Sequence, residues 1–135
     1  MPGFSPSRVA DLLAADPYAR SLGVELVSVT DDEIVVGLTV LPDHVNFLGV
    51  GHGGVVFSLA DCAFSLASNN AGDRAVAIDT HLVLTAAAKP GDVLRASVVE
   101  TSRGRTLGTY RADVSREDGR KVALFTGTVH IAPTS

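Results

Sequence analysis

The sequence predicts an α+β domain in which one long apolar helix lies against a single antiparallel sheet. Three observations predict it. The elements run short helix, two strands, long helix, four strands. The turn signals between strands are tight, and strands in close succession pair antiparallel. The long helix is apolar around most of its circumference, so a curved sheet wide enough to wrap it is the economical packing. With 135 residues, the chain reads as one domain, residues 1–135, with a core adequate for independent folding.

Taken in order, Ser5-Pro6-Ser7 before Arg8–Ala15 reads as a capped short helix ending near Asp16-Pro17. Val24 to Thr30 and Glu33 to Leu41 are rich in β-branched residues, and Asp31-Asp32 between them signals a hairpin. Pro42 to Gly51 is an irregular loop. The long helix starts around Gly53 and closes at Asn69-Asn70-Ala71-Gly72, residues tolerant of left-handed φ. Strands follow at Ala75–Leu84, Val93–Thr101, Thr106–Ser115 and Lys121–Ile131. The turns between them are Lys89-Pro90-Gly91-Asp92, Arg103-Gly104-Arg105 and Glu117-Asp118-Gly119. The last few residues read as a frayed end.

Within the helix stands one carboxylate, Asp61, in the most apolar stretch of the chain. An unpaired charge in an apolar setting costs several kcal/mol or shifts its pKa. At about 100° per residue, Gly54, Ser58, Asp61, Ser65 and Ser68 share a sector of roughly 80°. The helix therefore carries one small, polar seam with the carboxylate in it. Two readings stay open: Asp61 caps a backbone group or pairs with an arginine, or it performs chemistry.

Composition narrows the classes. Apolar residues make up 46% of the chain, and mean hydropathy is positive. That is high for a small soluble domain, so apolar surface is expected between subunits, by default in a two-fold dimer. A net charge of −4 argues against general nucleic-acid binding. The single cysteine, Cys62, excludes a disulfide framework and reads as a small core residue of a cytoplasmic protein. No secretory leader is visible at Met1-Pro-Gly-Phe-Ser5, and no apolar run is long enough to span a bilayer, so no membrane partner is expected.

The segment Asn46-Phe-Leu-Gly49-Val-Gly51-His52-Gly53-Gly54 feeds directly into the helix. Glycines at a helix start leave its free N–H groups approachable, at the positive end of the helix dipole. Such a place suits an anion or a developing oxyanion, although a glycine-rich turn without function reads the same way. Asn46 adds a donor and acceptor, and His52 a group able to orient either. Asp61 lies roughly two turns, ~10 Å, from Gly54, too far to attack an acyl carbon held at its own helix start. An antiparallel second helix would bring Asp61 of one subunit opposite Gly53 of the other. Gly-x-Ser-x-Gly, P-loop and dinucleotide motifs are missing, and His44, His52, His81 and His130 lack metal-ligand spacing, so no metal is expected.

The compound pattern Asn46-x-x-Gly49-x-x-His52-Gly53-Gly54, then Phe57-x-Leu-Ala-Asp61-x-Ala-Phe64, resembles the hotdog-fold acyl-CoA thioesterases of the PaaI (phenylacetate-degradation) type. The resemblance runs from about Gly23 to Ala132. It implies a six-stranded antiparallel sheet around a central helix, subunits joined edge to edge, and dimers paired into tetramers. It implies hydrolysis of an acyl- or aryl-acyl-CoA to free acid and CoA without a cofactor. On that basis the Gly53 amide polarises the carbonyl, and Asp61 of the opposing subunit activates water or attacks. Asn46 positions water or substrate, and His52 supports the loop. Ser65 matches a position where relatives hold the water.

Phenylacetyl-CoA or a hydroxylated derivative is the favoured substrate. Medium-chain or hydroxyaryl-CoA, or a non-catalytic acyl-CoA sensor, are the alternatives. Phe47, Leu48 and Phe57 are candidates for the acyl pocket and equally good core residues. Relatives carry a bulky, basic Phe-Leu-Arg-Pro-like segment after the third strand, where this chain has Thr85-Ala-Ala-Ala-Lys89-Pro90. Lys89, Arg103 and Arg105 are candidates for the CoA phosphates, the two arginines being equally ordinary turn residues.

Overall fold

A computed structural model describes residues 3–132. The expected frayed end lies at residues 133–135, outside the described residues.

Ser5 caps α1 (Pro6–Ala14), its hydroxyl accepting from the Arg8 amide, and Val9 and Leu13 point inward. The chain then does something the sequence reading missed. Asp16-Pro17 ends one helix and also starts another, α2 (Pro17–Ser21), with the Asp16 carboxylate accepting from the Ala19 amide at 3.0 Å. Asp at the cap with Pro at the first helical position is a start signal as much as a stop.

β1 (Glu25–Val29) and β2 (Ile34–Thr39) form the expected hairpin, with a bulge at Val27. A single 3₁₀ turn at Pro42–His44 interrupts the loop before α3 (Gly53–Asn69). Then come β3 (Arg74–Leu84), β4 (Val93–Arg103), β5 (Leu107–Arg116) and β6 (Lys121–Ala132). The expected turn at Arg103 is therefore the last residue of β4.

The six strands form one antiparallel sheet ordered β1-β2-β4-β5-β6-β3. The hairpins β1–β2, β4–β5 and β5–β6 follow from their turns. β3 does not pair with the strand after it: it crosses to the far edge and pairs with β6, so Leu84 lies opposite Ala123. That crossing leaves β3 with one free edge, and most of its residues are exposed.

The sheet wraps α3 as the resemblance implies. Leu59, Ala60, Ala63 and Phe64 are wholly buried against Val36, Val98, Ala112 and Phe125 of the strands. Gly127 makes room for this: a Cβ there would stand 2.8 Å from Cζ of Phe64. Burying a side chain of that size contributes about 1.5–3 kcal/mol. Among the described residues no helix is long and apolar enough to cross a membrane.

Candidate active site

The start of α3 is built by its own loop. His52 is the N-cap: its Nδ1 accepts from the Gly54 amide at 2.8 Å, and its backbone N–H donates to the His44 carbonyl. Gly54 is thus spoken for, and a Cβ there would stand 3.1 Å from His52 Nδ1. Gly54 keeps the cap in place rather than presenting a donor. The Gly53 amide donates to nothing among the described residues, and the Cβ position of Gly53 faces Leu84 at 3.1 Å. One free amide thus remains at the positive helix end.

Asn46 closes the loop. Its Oδ1 accepts from the Leu48 and Val50 amides, and its carbonyl accepts from Gly49, which has φ +81°. The side-chain amide of Asn46 has no partner among the described residues. Asn46, Gly51, Gly53, Val56, Leu84 and Ala87 border an open cleft of about 410 Å³. Its far wall, Thr85–Ala88, is pinned on several sides. The Thr85 and Ala86 amides donate to the Val122 carbonyl, and the Gly51 amide donates to the Ala88 carbonyl. Arg116 Nη1 donates to the Ala87 carbonyl at 3.0 Å.

Asp61 stands on the stripe of α3 that the sheet leaves uncovered. Gly54, Ser58, Asp61 and Ser65 are half-buried or exposed, whereas Ser68, the fifth seam residue, is buried and donates to the Ser65 carbonyl. The seam is therefore the open face of the helix rather than a channel through the core. Among the described residues Asp61 makes no hydrogen bond and no ion pair. Neither a backbone group nor an arginine accounts for it. Burial, followed by the nearby charge of Asp16, raises its pKa above the ordinary carboxylate value. The neighbouring Cys62 thiol, buried, is pushed up to about 12 and stays protonated at neutral pH.

Asp16→Asn removes that like charge, so if Asp61 is the catalytic base the acid limb of the pH–rate profile should move to lower pH, with kcat at neutral pH little changed. An unmoved limb would mean that the group setting it does not face Asp16.

Other expected residues lie elsewhere. Phe47 and Leu48 are 97% and 73% exposed at the loop tip and do not border the cleft. Phe57, half-buried, packs edge-to-face on Phe125 at 5.7 Å against the core. Arg103 is held inside: Nη1 donates to the Ser68 carbonyl and to Tyr110 Oη, whose own hydroxyl donates to Glu100. It ties the C-terminal end of α3 to the sheet, and its Nη2, buried without a hydrogen bond, lies 4.0 Å from the Asp73 carboxylate. Arg105 is exposed in the β4–β5 turn, at the opposite end of an 11-residue strand from the cleft wall. Lys89 is exposed where that wall ends. The sequence reading did not find Arg116, because only the topology brings the β5–β6 turn against the segment after β3.

The model of the Thioesterase superfamily matches residues 48–123. A Deinococcus radiodurans protein provisionally called an esterase is 44% identical over 113 residues, covering 83% of this chain and 77% of its own. The acyl-coenzyme A thioesterase PaaI of Escherichia coli is 34% identical over 115 residues, covering 85% of this chain and 82% of that protein. The solved structure of the E. coli PaaI protein, from the phenylacetic acid degradation operon, superposes with a TM-score of 0.91 over 96% of this chain and 94% of that one, at 30% identity. A Streptococcus pneumoniae hypothetical thioesterase solved with coenzyme A gives 0.78 over 82% and 87%, at 27% identity.

Proposed function

The chain belongs to the thioesterase superfamily, as an acyl-CoA thioesterase of hotdog fold, and from that premise we propose that it hydrolyses an aryl-acyl-CoA at a site shared between two subunits. The observation that carries this reading is the unpartnered carboxylate of Asp61 on the open face of α3, eight residues from the free amide of Gly53. Eight residues of helix span about 12 Å, so the two cannot meet on one acyl carbon within a chain. An antiparallel second α3 brings each opposite the other's partner.

The bare edge of β3 supports that dimer. Val76, Ile78, Val83 and Leu84 are 44–60% exposed on an 11-residue edge strand with unpaired N–H and C=O groups. Such edges are covered in stable proteins. Pairing two β3 strands joins the sheets edge to edge, and dimers then pair again into tetramers.

In the reaction, the thioester carbonyl oxygen accepts from the Gly53 amide, which stabilises the negative charge that develops there. Asp61 of the partner subunit takes the proton of a water as that water attacks the carbonyl carbon; alternatively its carboxylate attacks the carbon, CoA leaves, and water then hydrolyses the mixed anhydride to free acid and regenerated Asp61. The C–S bond breaks, CoA leaves as the thiolate, and the free acid remains. Asn46 offers its side-chain amide to the water or to the substrate. Ser65, one turn beyond Asp61, holds the water, and His52 keeps the helix start open. No metal or other cofactor takes part. Lys89, beside the cleft wall, is the cation assigned to the CoA phosphates; Arg105, at the far end of β4, is not placed to share them. The acyl group is phenylacetyl or a hydroxylated derivative, and the protein works in the reducing cytoplasm.

Thiol release from a panel of phenylacetyl-, hydroxyaryl- and medium-chain acyl-CoAs tests this. The highest kcat/KM should fall on phenylacetyl-type esters. A medium-chain optimum would overturn the aryl assignment. Binding without release from any of them would make the protein an acyl-CoA sensor.

A further inference from the structure

We infer that Tyr18 of α2 is a specificity-determining residue, its ring forming the wall of the acyl site beside Asp61 of the same chain. This rests on the acyl-CoA hydrolysis proposed above. The Tyr18 hydroxyl lies 2.8 Å from the Ser58 hydroxyl, a contact between residues 40 apart in sequence. Ser58 precedes Asp61 by three residues, so the two share one face on adjacent turns. α2 thus lies across the stripe that carries the carboxylate, and Asp16 at its start is near enough for its charge to be felt at Asp61.

The fold itself has little use for this ring. Tyr18 is 63% exposed, while Ala19, at 1%, is the residue that anchors α2 in the core. An exposed aromatic side chain gains little from burial, and a hydroxyl pair open to water adds little to stability. What the pair does is hold the ring in one orientation, with most of its surface unused next to the reacting carboxylate. A flat aromatic surface favours a flat aromatic acyl group over a linear alkyl chain, because ring pairs gain beyond the area they bury.

Hydrolysis of phenylacetyl-CoA and hexanoyl-CoA by the parent, Tyr18→Ala, Tyr18→Phe and Ser58→Ala proteins tests this, with melting curves alongside. Tyr18→Ala should lower the aryl-to-alkyl ratio of kcat/KM about tenfold. Tyr18→Phe and Ser58→Ala, which keep the ring but lose its tether, should lower the ratio by no more than about threefold. All three should melt near the parent. An active parent with an unchanged ratio in Tyr18→Ala overturns the specificity role alone, as does an equal loss on both substrates. A parent that hydrolyses neither ester overturns the functional reading beneath it.

Discussion

Asp61→Asn should lower kcat by about 10²–10⁴-fold, the range of a lost catalytic base, while the protein melts at or above the parent temperature at neutral pH. Both halves follow from the setting of the carboxylate. It has no hydrogen-bond or ion-pair partner among the described residues, so asparagine of the same shape deprives no neighbour. Burial and then Asp16 raise its folded pKa above the unfolded value. The folded state therefore holds the Asp61 proton more tightly than the unfolded state does. That contribution to stability is complete below the unfolded pKa and is lost as pH rises through the raised folded pKa. Ionised Asp61 is a burden on the fold, and the neutral amide of the Asp61→Asn variant lifts it. The gain in melting temperature should shrink as the pH falls toward the carboxylate range. A variant that melts several degrees below the parent at neutral pH would make Asp61 a structural carboxylate.

Ile78→Lys should convert the protein to a folded monomer and remove activity to the level of Asp61→Asn. Ile78 is 60% exposed at the bulge of β3 between Ala77 and Asp79, so a lysine there meets water in the monomer and disturbs no core contact. Lysine on an edge strand is a common means of preventing edge-to-edge pairing. On the proposed shared site, a subunit alone holds Gly53 and Asp61 two turns of helix apart, so no acyl carbon meets both. Mass from light scattering, read with turnover on the same sample, checks this. A monomer that keeps parent turnover would place the whole site within one chain.

Much of the fold was legible because its signals are local. The period of the strands, the tight turns of β4–β5–β6 and the circumference of α3 are written in neighbouring residues. β3 was legible as a strand but not as an edge, since Arg74-Ala-Val-Ala-Ile-Asp-Thr-His-Leu-Val-Leu84 reads like any half-buried strand, and its position depends on where the chain crosses. Asp16-Pro17 carried two meanings, and the stop hid the start. At the site, the glycines and Asp61 stood out by chemistry. Whether Asp61 was paired depended on which distant groups surround it, which sequence does not record. Arg103 shows the same limit from the other side: its charge suggested a phosphate contact, and long-range packing gave it to Tyr110 and the end of α3. The Tyr110 hydroxyl, buried and donating to Glu100, is pushed up to about 12, in keeping with a structural network.

The shared site is tested most directly by combining two inactive chains. Asp61→Asn lacks the base, and Gly53→Val fills the space between the helix start and Leu84, where a Cβ alone would stand 3.1 Å from Cδ1. Each variant alone should be inactive. In a mixed dimer one site carries both defects and the other carries neither. Co-expression with random pairing should therefore restore about a quarter of parent turnover per chain. Activity that stays at the level of the single variants, with mixed dimers present by mass, would contradict a site built from two subunits.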